Sequence, residues 1–133
     1  MTKNKLLEIY NKSYTEEEFY KQNVTYAFSQ SQLQDAMKKL GATSENELTS
    51  FGYGSICLKS KFKEIMQWML KKEKEKKTWL KNLTNEEKNI IIEYELYNYE
   101  CNYTYDIDNV VDLFKNIFEY NDIMHVFHKI TKQ

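Results

Sequence analysis

The chain has 133 residues, with 19 basic side chains that are all lysine, 20 acidic ones, no arginine and no proline. That length fits a single domain, 1–133, and the balance of 41% hydrophobic to 29% charged residues excludes both a disordered tail and a membrane protein. With no guanidinium there is no bidentate fork for carboxylate, phosphate or guanine and no arginine finger, which disfavours sequence-specific DNA reading.

Residues 3–12, with Leu6, Leu7, Ile9 and Tyr10, read as a short amphipathic helix. Thr15-Glu16-Glu17-Glu18 has the form of a capping box and opens a second short helical turn through Phe19 and Tyr20. Val24, Tyr26 and Phe28 alternate with small or polar residues as in a strand, although a helix continuing from Thr15 fits the same residues. Ser29 caps the next helix, 30–40, with Gln32 completing a box, Leu33, Ala36, Met37 and Leu40 on one face, and Gly41 as the left-handed stop. Ser44 to Glu47 opens one further turn. Gly52 and Gly54, between Leu48 and Ile56-Cys57-Leu58, mark a bend between β segments; a G-x-G with no third glycine and no helix starting on it is a weak phosphate signal.

Ser60 is expected to cap a long helix, 61–82, with Phe62, Ile65, Met66, Met69 and Leu70 as an apolar stripe that resumes at Trp79, Leu80 and Leu83. Between these stretches Lys71 to Lys77 has no apolar residue, so about two turns should be solvated all round, projecting from the body or bridging to the next helix. Thr84-Asn85-Glu86-Glu87 is a second capping box and opens a helix over 85–101 whose inner face would carry Ile90, Ile91, Tyr94, Tyr97 and Cys101. Asp106 or Asp108 should cap the following helix, with Val110, Leu113, Phe114 and Ile117 at helical spacing, and Asn121 or Asp122 restarts a last one; together they fill 109–131. The fold class is therefore α+β, predominantly helical, with two or three short antiparallel strands around Val24–Phe28 and Phe51–Lys59.

Charge is strongly segregated. Residues 59–81 carry a net +6 and residues 84–122 a net −8. Such asymmetry either neutralises itself between antiparallel neighbours or forms an interaction surface. The acidic half interleaves carboxylates with phenols, from Glu93 to Glu100 and on through Tyr103, Tyr105, Asp106 and Asp108, and Glu86, Glu93 and Glu100 are spaced to share a helix face. Glu93, Glu95, Tyr97, Glu100, Asp106 and Asp108 are accordingly the candidate partner-binding residues, facing a basic groove much as a nucleic-acid backbone would. The alternative nucleic-acid site is Lys71, Lys72, Lys74, Lys76, Lys77 and Lys81, although the alternating Lys-Glu pattern there also suits an exposed helix held by i,i+4 pairs.

Chemistry-bearing constellations are weak. Cys57, Cys101, His125 and His128 are the one soft-ligand set, and with no C-x2-C knuckle they make only a weak zinc candidate. Asp106, Asp108 and Asp112 superficially resemble a calcium loop, but Val110 and Val111 stand where a ligand and a glycine are required. Glu93 and Glu95 as a magnesium pair suit a strand more than the helix expected here. Neither an enzyme nor a cofactor is expected, and a pocket near Gly52–Cys57 remains a rival reading. Two cysteines are too few for a disulfide scaffold, no apolar run nears the roughly 20 residues of a membrane span, and the polar Met1 to Lys5 has no signal-peptide core.

Tyr26-Ala27-Phe28-Ser29, followed by Gln32, Met37 to Gly41, Leu48, Ser50, Gly52 and Gly54, resembles a group of small proteins of phages and mobile elements. The segment Tyr94 to Asp106 resembles that group's E-L-x-N-x-E stretch followed by a Tyr-Asp step, while the lysine-rich helix departs from the pattern. The resemblance implies a genomic setting and carries no functional residues over; the expectation of a reducing cytoplasm, that of a bacterial host, rests on the two cysteines and the polar N-terminus. The expectation is a non-catalytic accessory protein that binds and inhibits a host defence nuclease, such as a CRISPR-Cas effector, in the manner of an anti-CRISPR protein.

Overall fold

The computed structural model describes residues 1–132 and has the expected α+β architecture, dominated by helices and with a small antiparallel sheet. The helices are α1 (Lys3–Asn11), α2 (Glu18–Asn23), α3 (Gln30–Leu40), α4 (Lys59–Lys81), α5 (Asn85–Asn98), α6 (Cys101–Thr104), α7 (Asp108–Leu113) and α8 (Tyr120–Thr131). The strands are β1 (Thr25–Tyr26), β2 (Leu48–Thr49) and β3 (Ser55–Leu58), in the order β1-β3-β2. Two compact units divide the chain: Ser13–Lys74, and Met1–Lys12 together with the chain from Glu75 onward, so the boundary falls inside α4. Among the described residues no helix is long and apolar enough to cross a membrane.

In the unit Ser13–Lys74, β3 is the central strand, pairing Ser55 and Ile56 with β1 and Cys57 and Leu58 with β2. Tyr20, Val24, Cys57 and Ile65 are buried together, with Phe19, Phe51, Phe62, Trp68 and Met69 packed against them. Tyr20 and Tyr26 join their hydroxyls in a hydrogen bond. The first cap differs from the expected one. Ser13, not Thr15, accepts the orphan N–H, because the segment begins with a 3-10 turn at Tyr14–Glu16 and α2 starts only at Glu18. For α3 the expected limits hold: Ser29 Oγ accepts from Gln32 N, and Gly41 at φ 77 closes the helix as Ala42 N reaches Met37 O. The Gln32 amide reaches back one residue further than a capping box requires, to Phe28 N at 2.7 Å. α4 follows β3 without a break at Lys59, so Ser60 lies within its first turn and is not the cap expected from sequence.

The second unit is built around α5, which packs against α1, α6, α7 and α8. Its core joins Leu6 and Tyr10 of α1, Leu80 of α4, Ile91, Ile92 and Leu96 of α5, and Phe114, Phe118, Ile123, Val126 and Phe127 further on. Because α5 meets neighbours on several sides, its apolar residues do not form one stripe. Tyr97, expected on the inner face, is exposed, and Ile92 and Leu96 are buried in its place. The Thr84 capping box is complete: Thr84 Oγ1 accepts from Glu87 N, and Glu87 Oε1 accepts from Thr84 N. α5 ends at Asn98 instead of running to 101, since Glu100 is left-handed at φ 56. Asp106 Oδ1 accepts from the N–H of Asp108, the first residue of α7. The two helices expected to fill 109–131 are α7 and α8, but the first stops at Leu113, short of Ile117, and the second starts at Tyr120, just before Asn121 and Asp122. Asn116 between them has φ 64, and Phe114 and Phe118 pack on each other across the turn at 4.8 Å.

Two substitutions test this framework by urea denaturation. Thr84→Ala removes one bond of the capping box and should cost about 1 kcal/mol. Leu96→Ala opens a cavity on the buried face of α5 and should cost about 2–5 kcal/mol.

Candidate functional site

Residues 93–112 hold Glu93, Glu95, Glu100, Asp106, Asp108 and Asp112 and not one lysine. α5, α6 and α7 carry them, all in the unit built around α5. Glu93 is half-buried, while Glu100, Asp106, Asp108 and Asp112 are exposed. Among the described residues none of these five forms an ion pair with a lysine; the nearby ion pair is Lys88 to Asp122 at 3.4 Å, tying α5 to α8. The self-neutralised arrangement that the charge map left open is thus not formed at these carboxylates.

Glu95 has another role. Its Oε2 accepts the hydroxyl of buried Tyr10 at 2.8 Å and its Oε1 accepts from Asn98 Nδ2 at 2.6 Å. Tyr10 meets Tyr94 edge to face at 6.1 Å, Asn11 donates to the Tyr94 hydroxyl at 3.0 Å, and Lys76 Nζ lies 4.5 Å above the Tyr10 ring. Both oxygens of Glu95 are therefore engaged within the fold, and the outward acidic face rests on the other carboxylates.

The phenols complete that face. Tyr97 is 48% exposed on α5 and Tyr103 is 81% exposed on α6, with Tyr99 and Tyr105 also open. α6 is bracketed by two left-handed residues, Glu100 at φ 56 and Tyr105 at φ 60. Each is a conformation that costs a non-glycine residue about 1–2 kcal/mol. The Tyr105 ring is held edge-on to Phe127 at 6.0 Å. The interleaving of phenols with carboxylates is legible in the sequence, but the turn that aims Tyr103 outward is not, because no glycine or proline marks it.

The other candidates separate. Of the alternative nucleic-acid lysines, Lys72 pairs with Glu17 at 3.0 Å and sits over Trp68, Lys76 sits over Tyr10, and Lys74 and Lys77 each have a partner; Lys71 and Lys81 are exposed. Burial pulls the Lys76 ammonium below its usual range, against the opposing charge of Glu95. Cys57 and Cys101 are buried in different cores, and burial pushes both thiols up, with Asp106 adding to the effect at Cys101; such thiols stay protonated and unreactive. His125 and His128 are exposed on α8. Among the described residues no three of His, Cys, Asp and Glu are grouped to hold a metal ion, so the four proposed zinc ligands do not form a site. An open hollow of about 480 Å³ is lined by Gly41, Asn46, Glu47, Leu58, Lys59 and Ser60 and so begins at the residue that follows the Gly52–Cys57 segment of the rival reading.

The chain belongs to a family of unknown function, DUF7659, whose model matches residues 7–133. No match was found among curated proteins or among solved structures.

The phenols of Tyr10 and Tyr20 are both held above the ordinary value of 10.0, first by burial and then by their hydrogen bonds to Glu95 and to Tyr26. Both stay neutral in the fold where the unfolded chain would ionise them. Their stabilisation is complete below about pH 10 and is lost as pH rises beyond it. The urea midpoint should therefore fall between about pH 9 and about pH 11, and Tyr10→Phe should make that fall shallower.

Proposed function

We propose that this chain is a non-catalytic binding protein that docks its acidic, tyrosine-rich face on a basic nucleic-acid channel of a partner protein. The observation that carries the reading is the set of carboxylates at 93, 100, 106, 108 and 112, exposed or half-exposed and without lysine partners among the described residues, with four open tyrosines between them. Unpaired negative charge of this density steers association with a basic surface, and phenols add contact area at low entropic cost. The strained turns on either side of α6 support the same reading, since such conformations gather where function needs them.

The resemblance of residues 24–59 and 93–108 to small phage and mobile-element proteins favours one kind of partner. That partner is a host defence nuclease of the CRISPR-Cas type, inhibited by occupation of its nucleic-acid channel in a bacterial cytoplasm. Glu93, Tyr97, Glu100, Asp106 and Asp108 would make the contact, and Glu95 would hold α5 in place behind them.

The test is binding to, and inhibition of, a purified Cas-type effector by the wild-type chain and by the triple variant Glu93→Lys, Glu100→Lys, Asp108→Lys. Binding should weaken with added salt, and the triple variant should bind about tenfold or more weakly. Unchanged inhibition by the variant, or no effector bound even at low salt, would overturn the proposal. A stability control belongs beside it: Glu100→Gly relieves the left-handed strain and should raise stability by about 1 kcal/mol while removing one docking charge.

A further inference from the structure

The tip of the β2–β3 hairpin presents an aromatic ring that the fold does not use. Tyr53 is 97% exposed and stands between Gly52 and Gly54, with φ values of 106, 55 and 74 along the three residues. Glycine or asparagine would adopt the middle conformation more cheaply than tyrosine does. The loop is nevertheless firmly tied: Ser55 Oγ accepts from Phe51 N at 3.0 Å, Ser55 N donates to Gly52 O at 3.0 Å, and Gly52 N donates to Ser50 Oγ at 3.0 Å. The result is a rigid mount that holds a phenol wholly in solvent.

A second ring stands against the last glycine of the loop. Phe28 is 75% exposed and lies against Gly54, where an added Cβ would come within 2.3 Å of its Cε1. Ala27 N donates to Gly54 O at 2.9 Å and fixes that approach. Gly54 is thus required by the phenylalanine as well as by its own φ.

The same strand leads to positive charge. β3 runs directly into Lys59, Lys61 and Lys63 at the start of α4, and Lys59 lines the open hollow with Gly41, the end of α3, whose last turn holds Lys38 and Lys39. All five lysines are exposed, and among the described residues only Lys61 of them forms an ion pair, with Glu64 at 3.4 Å. The path from Gly54 to Lys59 is about 16 Å along an extended strand, the reach of a few nucleotides. Glu47 lines the hollow and would repel phosphate, which assigns the backbone to the α4 lysines and not to the hollow itself.

We infer that Phe28, Tyr53 and the pair Lys59 and Lys63, which share a face of α4, form a binding site for single-stranded nucleic acid, separate from the acidic face and going beyond the function proposed for it. Unpaired bases stack on the two rings and phosphates meet the ammonium groups. A duplex, whose bases are already stacked, offers nothing to the rings.

Fluorescence anisotropy with short labelled oligo-dT and oligo-rU at low salt tests the site on the full chain. Single strands should bind, duplex DNA should bind more weakly, and affinity should fall with added salt. Tyr53→Gly should weaken single-strand binding about tenfold or more without lowering the melting temperature, because glycine is at home in that conformation. Lys59→Ala with Lys63→Ala should also weaken binding and flatten its salt dependence. No binding at low salt, wild-type affinity in Tyr53→Gly, or a duplex bound as tightly as a single strand would each overturn the inference. The Glu93, Glu100, Asp108 triple variant should retain single-strand binding, which keeps this result independent of the acidic face.

Discussion

Burial of α5 is the constraint from which the acidic surface follows. With α1, α6, α7 and α8 packed about it, the helix must place Ile91, Ile92 and Leu96 inward, and little of its circumference is left for solvent. The polar residues on that remainder cannot be spread out. Glu93 and Tyr97 take the open side, while Glu95, at its margin, is satisfied internally by Tyr10 and Asn98. A carboxylate left beside a core without such donors would cost more than its hydrogen bonds return. The Tyr10–Glu95 bond is thus what lets an acidic helix also be the central helix of its unit.

Where the chain declares its intentions locally, sequence reading reached the structure. Ser29 and Gly41 bound α3 at the expected residues, and the Thr84–Glu87 box opens α5, because capping is decided within three or four residues of the helix end. Elements decided by distant contacts were less legible. Tyr10 lies 85 residues from Glu95, so nothing around Glu95 distinguishes it from Glu93. α5 stops at Asn98 because the chain turns left-handed at Glu100, and no glycine or proline announces that turn. Counting turns places Tyr97 in the core, but α5 has buried residues on more than one side and Tyr97 is exposed. Thr15 and Ser60 carry plausible cap chemistry at the wrong places, since Ser13 lies earlier in the same turn and β3 feeds α4 without a loop.

Backbone strain and exposed aromatic rings coincide in both units. Tyr53 is left-handed at the hairpin tip, and Glu100 and Tyr105 are left-handed on either side of α6, next to Tyr103. In each case a residue that glycine or asparagine would replace more cheaply helps aim a ring at solvent. Stability alone would favour the cheaper residue. Strain at such positions therefore points to recognition more directly than exposure does, because isolated apolar surface is ordinary and a rigidly mounted, strained ring is not.

The absence of arginine gives those rings their weight. Lysine supplies charge as a compact, strongly hydrated point, without the planar fork that lets arginine stack and hydrogen-bond at once. A protein limited to lysine must obtain flat, orientation-specific contact from other side chains, and tyrosine and phenylalanine provide it with two side-chain torsions to order. Charge and contact then separate physically: ammonium and carboxylate groups govern how fast a partner arrives and how strongly salt opposes it, while the rings govern how long it stays. On that division, changing a charge on either proposed surface acts mainly on association, and removing a ring acts mainly on dissociation.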